Sequence, residues 1–495
     1  MNRTTRTICL ATLLLALAVM PAAAAKIEPL MRTVDLNIGQ QVDVTLANGR
    51  SVTVKLLNLK EKRDTVRDAI RSAVATVEVA GRRVELTAAY YRLPVTVGEV
   101  RIDCAVTKGF TSQCKNIWAL DADARLRLWP AGSPWIRPGT FGYPARQKWF
   151  ATDTQMCNVP VFVDGGEVPG TKSIYYHYGL DIGGTEGMVD VLAATDGLVV
   201  QVGKAVLPGY EEQARPRYDV IYIKDDRGWF YRYSHLQSFE PSLKLGERVK
   251  LGRKIGTLGK EGGSGGWSHL HFDIRAMQPS GRLGIVEGYA FFWQAYHAAH
   301  KTKLQAVARP HHLTWAGEPV LLDAGLSWCD RGPEHIAKYE WTFGDGTRAT
   351  GSKATRCYDK SGVYSEVLKV TDDRGNVDYD FAVVQVIDRQ NPKQLPPSIH
   401  ANYSPTFNIK PGDPITFKVR SFRIAKDDGQ ETWTFGDGSQ PVTVQSDGNA
   451  VKHAPDGYAT TTHRYTKPGH YLATVHRTNQ RGQTATGHVH VRVGE

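Results

Sequence analysis

The chain has 495 residues, 41% of them apolar and 22% charged, a globular composition on a length too great for one core. A prior of ~3–4 domains applies. Lys and Arg total 61 against 50 Asp and Glu, and the net charge of +11 is spread along the chain rather than gathered in a patch. Collagen, coiled coil and transporter are excluded, no nucleic-acid reading module is found, and the charge suits a polyanionic setting such as a cell envelope.

Residues 1–25 read as an address. Arg3 and Arg6 precede an apolar run from Ile8 to Val19, and Ala23-Ala24-Ala25 stands before Lys26. This three-part order predicts a cleaved secretory signal, hence a secreted or periplasmic, cell-envelope protein. No later apolar run approaches ~18 residues, so no stable membrane span is expected after cleavage. Export would remove Cys9 and leave Cys104, Cys114, Cys157, Cys329 and Cys357 in an oxidising compartment. Cys104 and Cys114 suit a hairpin staple, with Cys157 able to displace either; the spacing is not CxxC, which argues against a thiolate zinc site.

Residues 26–146 read as a β-rich domain of unknown role. Val42, Val44 and Leu46 alternate, Asn48-Gly49 turns, and Val52, Val54 and Leu56 alternate again. A second hairpin is expected around Gly81, joining Val77 and Val79 to Val84 and Leu86. A short helix is expected near Asp64 to Ala73, and the Gly- and Pro-rich stretch Trp129 to Pro144 reads as a linker or loop region.

Residues 159–300 carry the chemistry. Three short motifs follow one another: His177-Tyr178-Gly179-Leu180-Asp181, Tyr233-Ser234-His235-Leu236 and His269-Leu270-His271-Phe272-Asp273. Each is weak alone in a chain with 16 His. In a strand, His269, His271, Asp273 and Arg275 would share one face while Leu270, Phe272 and Ile274 take the other. His177 and Asp181 would share a face too if their segment is extended. Catalytic zinc takes three ligands from His and carboxylate and leaves a position open, so three ligands with two further histidines for proton handling meet the requirement. His488-Val489-His490 is a second HxH near the C-terminus, expected to be a solvated strand face.

After this segment comes an internal repeat. Trp341-Thr342-Phe343-Gly344-Asp345-Gly346 returns as Trp433-Thr434-Phe435-Gly436-Asp437-Gly438, and Gly362-Val363-Tyr364 returns as Gly469-His470-Tyr471. Asn391-Pro392 and Pro396-Pro397 mark a hinge between copies at 305–390 and 395–495. The WTFGDG turn followed by a G-x-Y strand resembles PKD domains, which implies immunoglobulin-like β-sandwiches that position or bind. Asp345 and Asp437 read as turn residues rather than calcium ligands. Cys329 and Cys357 occur only in the first copy, so a bond between them is expected.

The order HxGxD, YxHL, HLHF resembles the lysostaphin/LytM-type zinc endopeptidases, which cleave peptide cross-links in bacterial peptidoglycan. Ala194-Thr195-Asp196-Gly197 and the glycine turns Leu245-Gly246 and Leu251-Gly252 fit the same pattern over about 120 residues of the chain. The resemblance implies an antiparallel β-sheet peptidase domain within a mainly β, multidomain chain. It implies that His177, Asp181 and His271 bind Zn2+, that His235 and His269 act on the reacting groups, and that peptidoglycan is the partner. Two departures stand out: Gly265-Gly266-Trp267-Ser268 intervenes before the HxH, and Asp273 stands where the family usually has Glu. A non-catalytic wall-binding or hydrolase-activating relative is the alternative, and a peptidase of ordinary proteins a third. With the motifs confined to 159–300, the C-terminal sandwiches are expected to affect targeting and not the chemical step.

Overall fold

In the N-terminal domain, alternating valines form the first expected hairpin. Gln41–Thr45 pairs with Ser51–Arg63, setting Val42 opposite Val54 and Val44 opposite Val52. Ile70–Val79 and Arg82–Thr87 complete a four-stranded antiparallel sheet, with Val77 opposite Val84 as the second hairpin requires. A second four-stranded sheet is built from Arg32–Leu36, Ala124–Pro130, Val100–Thr107 and Val95–Val97. Both sheets feed one core containing Val54, Leu56, Val77, Ile102, Leu126 and Leu128. This computed structural model describes residues 27–88, 90–111, 116–154, 157, 159–162 and 174–494. Residues 1–25, where a secretory signal is expected, and Cys114 lie outside the described residues.

No helix forms at Asp64 to Ala73. The Asp64 carboxylate accepts the backbone N–H groups of Val66 and Arg67, closing a turn, and the next strand begins at Ile70. A carboxylate that accepts the amides just after it serves a turn as well as a helix start, and here the turn prevails. From residue 131 to 144 the chain is a loop, one of the two readings, but it is no free linker. Trp129, Ile136, Phe141, Tyr143, Trp149 and Phe150 enter the core of the following domain as a buried strap. That strap packs on the helix Tyr289–His300, with Trp149 5.5 Å from Trp293 and Tyr143 5.2 Å from Tyr296, ring to ring. Gln294 pins it by accepting the N–H of Trp135 and donating to the carbonyl of Ile136.

The middle domain is an antiparallel sheet in the order Leu180–Gly183, His269–Met277, Phe230–Ser234, Ile221–Lys224, Gly197–Val202, Ala205–Val206. A smaller three-stranded sheet holds Asp190–Leu192, Lys254–Leu258 and Leu236–Phe239. Leu270, Phe272 and Ile274 all join the core, as strand alternation predicts. Two β-sandwich domains follow, each with its own core around a fully buried tryptophan, Trp341 or Trp433. A parallel contact, Val363 opposite Ala485, joins them through a shared sheet. Asp345 and Asp437 accept the N–H and hydroxyl of Thr347 and Ser439, as turn residues.

Cys329 and Cys357 are free thiols, not a bonded pair. Cys329 is buried on the short strand opposite Leu304, whereas Cys357 is exposed at the end of Lys353–Cys357, opposite Pro319. Shared presence in one copy carried no information about which way each side chain faces. Cys104 is also a free, buried thiol, and Cys157 is buried. Among the described residues no helix is long and apolar enough to cross a membrane.

Candidate active site

Strand register assembles the site. Leu180–Gly183 lies against His269–Met277 with Asp181 opposite His271 and Gly183 opposite His269. On the other side of the same strand, Phe230–Ser234 places Ser234 opposite His271, so His235 emerges beside both histidines. His235 has a φ of 69°, the left-handed region, where the chain turns from one sheet into the next. His177 arrives by a route the sequence did not suggest. It stands in a turn after Ile174–Tyr176 rather than on one extended segment with Asp181, and Gly179, at φ 80°, makes the turn. A Cβ at Gly179 would lie 2.2 Å from the carbonyl oxygen of Phe272, so only glycine lets the turn approach the HxH strand.

Three atoms meet at one point. His177 Nε2 is 3.0 Å from His271 Nδ1 and 3.0 Å from Asp181 Oδ1, and His271 Nδ1 is 2.9 Å from Asp181 Oδ1. Ligands bonded to zinc at ~2.0–2.2 Å in a tetrahedron stand about 3.3 Å apart, close to this triangle. The outer ring nitrogens are engaged elsewhere. His177 Nδ1 donates to the carbonyl of Cys157 at 3.1 Å, and His271 Nε2 donates to Asp273 at 3.2 Å. Each bond fixes the tautomer that turns a lone pair toward the shared point. Asp273 is itself held by Arg275 at 2.9 Å and Arg232 at 3.4 Å, so the shorter carboxylate still reaches its histidine. His177, Asp181 and His271 thus fit a divalent metal by donor type, spacing and outer support.

His235 and His269 flank the triangle with ring centroids 4.6 Å apart. His269 Nδ1 donates to the carbonyl of Trp267 at 3.0 Å, and its Nε2 lies 3.5 Å from Asp181 Oδ2. His235 Nδ1 donates to the carbonyl of Glu261 at 2.7 Å, which leaves Nε2 as its acceptor. The His235 N–H is accepted by Asp219 Oδ2 at 2.9 Å, and Asp219 is clasped by Arg217. Burial drives the His235 imidazole down to about 3, against the pull of Asp219, so the ring is neutral near pH 7. Burial also lowers His269. Burial would raise Asp181, but the adjacent His177 and His269 and the hydrogen bonds from His177 and His271 hold it well below the usual carboxylate range. Burial would lower His271, but its bonds to Asp181 and Asp273 raise it. Two neutral bases beside an anionic corner can take and return protons.

Sequence reasoning missed Asp219, Arg217, Arg232 and the carbonyls of Cys157 and Glu261, which orient the histidines. Asp219 stands 16 residues before His235, in no motif, and only the fold brings them together. It also missed the second sandwich. Residues of 399–493 bond the Gly262–Ser268 loop directly ahead of the HxH strand, so the second C-terminal domain stands against the wall of the site.

A β-sheet peptidase domain with a His, Asp, His triangle is the class of protein that this geometry defines. Residues 175–281 match the model of peptidase family M23, and residues 305–386 and 399–493 each match a PKD domain. The chain therefore carries an M23 peptidase domain followed by two PKD domains. Curated relatives include the collagenase ColA of Clostridium perfringens, 40% identical over 53 residues, which are 11% of this chain and 5% of that protein. The pre-pro-metalloprotease PrtV of Vibrio cholerae is 39% identical over 69 residues, 14% of this chain and 7% of its own. The chain spans under a tenth of either. Among solved structures, the catalytic domain of the prophage-encoded M23 protein EnpA from Enterococcus faecalis is similar at 25% identity. It matches over 25% of this chain and 85% of that one, with a TM-score of 0.18. Csd3 of Helicobacter pylori is similar at 15% identity over 53% of this chain and 82% of that one, with a TM-score of 0.20.

Proposed function

We propose that the protein is an exported zinc metalloendopeptidase that hydrolyses peptide bonds in the cross-links or stem peptides of bacterial peptidoglycan. The observation that carries this reading is the triangle of His177, Asp181 and His271, with both imidazole tautomers fixed by outer partners. Zinc, when bound, would polarise the scissile carbonyl as a Lewis acid. His177, Asp181 and His271 would hold it, while Cys157 and Asp273 keep the two rings aimed. His235 and His269, neutral and adjacent, would accept a proton from the attacking water and return it to the departing amine. The Glu261 carbonyl, by taking Nδ1–H, keeps the His235 Nε2 lone pair turned inward, while Asp219 holds the residue's backbone N–H. The M23 match supports peptide-bond chemistry. The spread positive charge suits a polymer that bears carboxylates.

The test is to digest purified sacculi with the full chain and read the released fragments by mass, with zinc content measured on the same sample. Cleaved cross-links with about one equivalent of zinc are expected. A protein that holds zinc and cuts neither sacculi nor soluble cross-link peptides would fit the non-catalytic reading instead. One that cuts ordinary proteins at comparable rates would overturn the substrate assignment.

A further inference from the structure

The loop Gly262–Ser268 forms the wall beside His269, and its composition cannot make it stiff. Gly262, Gly265 and Gly266 all sit at positive φ, 60°, 74° and 95°. Its own domain holds it through Tyr218, Ser264 and the Gly184 carbonyl, and four side chains of the second PKD domain add to that restraint. His453 Nε2 bonds the carbonyl of Gly262 at 3.0 Å, and Asn449 Nδ2 donates to the carbonyl of Gly265 at 3.0 Å. Arg420 Nη1 donates to the carbonyl of Gly266 at 2.5 Å. That arginine is fully buried, with Nε and Nη2 locked on Asp447. Tyr458 accepts the N–H of Ser268 at 2.8 Å. Gly266 is fitted to this docking, because a Cβ there would lie 2.0 Å from Asn449 Oδ1 and 3.1 Å from the Lys452 carbonyl oxygen.

One peptide group links the docking to the chemistry. The carbonyl of Trp267 accepts His269 Nδ1–H, and the N–H of Ser268, on the same peptide unit, is held by the Tyr458 hydroxyl. Tyr458 is anchored in turn on His400 Nδ1 at 2.7 Å, and the Trp267 ring lies between, 4.6 Å from His269 and 6.3 Å from His400. Burial keeps the Tyr458 hydroxyl protonated and drives His400 down to about 3, so the bond joins two neutral groups. A planar peptide bonded at both ends cannot tilt without loosening one of them.

We propose that Tyr458 is a positioning residue of the peptidase site, acting through the Trp267–Ser268 peptide to set the tautomer and tilt of His269. The second PKD domain is then a part of the active site and not only a tether. This rests on the peptidase reading above. It also accounts for the departure at Gly265-Gly266-Trp267-Ser268, which is the surface that the PKD domain grips.

The experiment compares Tyr458→Phe and Asn449→Ala in the full chain with Tyr465→Phe. Tyr465 bonds the Phe435 carbonyl in the same domain, away from the loop. The readouts are kcat and KM on a soluble cross-link peptide, zinc content, Tm, and hydrogen exchange of the segment 262–271. Tyr458→Phe should lower kcat roughly 10-fold with KM, zinc and Tm nearly unchanged, the scale of one lost hydrogen bond. Exchange should quicken across 262–271 in Tyr458→Phe and Asn449→Ala but not in Tyr465→Phe. A kcat within two-fold of the parent chain overturns the proposal, as does a kcat that rises, which would make the domain a cover. A loss shared by Tyr465→Phe, or accompanied by loss of zinc, also overturns it by showing a merely structural effect. Should the parent chain cleave nothing, the peptidase reading fails by itself, and unchanged exchange at 262–271 in Tyr458→Phe still refutes the coupling.

Discussion

Two His-x-His strands stand in this chain, both largely withdrawn from water, and they serve opposite purposes. His488-Val489-His490 is not the solvated face that the sequence suggested. His490 is buried, 3% exposed, with Lys148 Nζ 2.8 Å from its Nδ1 and His470 2.9 Å from its Nε2. His488 bonds Ser365 and stacks on Phe381. The nearby carboxylate, Asp378, is met by Arg492 at 2.6 Å and Lys148 at 3.7 Å. Both nitrogens of His490 are engaged and cations surround the acid, so no lone pairs converge. At His269 and His271 the arrangement is inverted. The central carboxylate, Asp181, meets histidines in its ion pairs, while the arginines are set one layer out, on Asp273. The motif is the same; the placement of the cations decides between a structural joint and a cluster whose donor atoms converge.

The largest effect expected from breaking this contrast is at His271. His271→Ala leaves two protein ligands and should abolish zinc binding and cleavage together, whereas His490→Ala should keep both. Zinc analysis beside cross-link cleavage reads the difference. Next comes His235→Ala, which should retain zinc and lose turnover by about 10²–10⁴-fold, the usual scale for an acid–base group, with His269→Ala similar. If His235→Ala loses its metal, the division of roles is wrong.

A smaller effect is expected one layer out. Asp273→Asn weakens the acceptor that orients His271 and should cost about 10–100-fold in zinc affinity or activity, measured by competition with a chelator. At the other HxH the consequence should be stability alone. His490→Ala removes partners of Lys148 and His470 and should lower unfolding free energy by about 1–3 kcal/mol, with zinc content unchanged. Burial lowers His488 from 6.5 to about 4. A histidine depressed on folding stabilises fully above its unfolded value and loses that contribution as pH falls from 6.5 toward 4. Denaturation midpoints for the parent chain and His488→Gln across that window should therefore converge as pH falls.

Strand alternation and the Asn48-Gly49 turn settled the first hairpin, because both are local: a side-chain period of two and a turn with glycine at its second position. The WTFGDG repeat marked two sandwiches for a similar reason, since each tryptophan fills its own domain's core. Failures fell where a local signal had two outcomes. Asp64 begins a turn as readily as a helix. Gly and Pro between Trp129 and Pro144 mark irregular backbone, but they say nothing of whether its aromatics are buried. Cys329 and Cys357 share a repeat copy yet differ in burial.

The sequence by itself offered the five candidate residues through three motifs whose order resembles a known family's, while strand spacing placed only His269, His271 and Asp273 on one face. Tertiary structure decided how they meet. Asp181 is opposite His271 because two strands distant in the chain pair in that register. His177 arrives through a glycine turn, and the backbone of His235 is held by an aspartate outside its motif. The second PKD domain's grip on the Trp267–Ser268 peptide joins residues 190 positions apart. No pattern in the chain encodes that contact. Hydrogen bonds act over about 3 Å in space, and only folding decides which distant residues come that close.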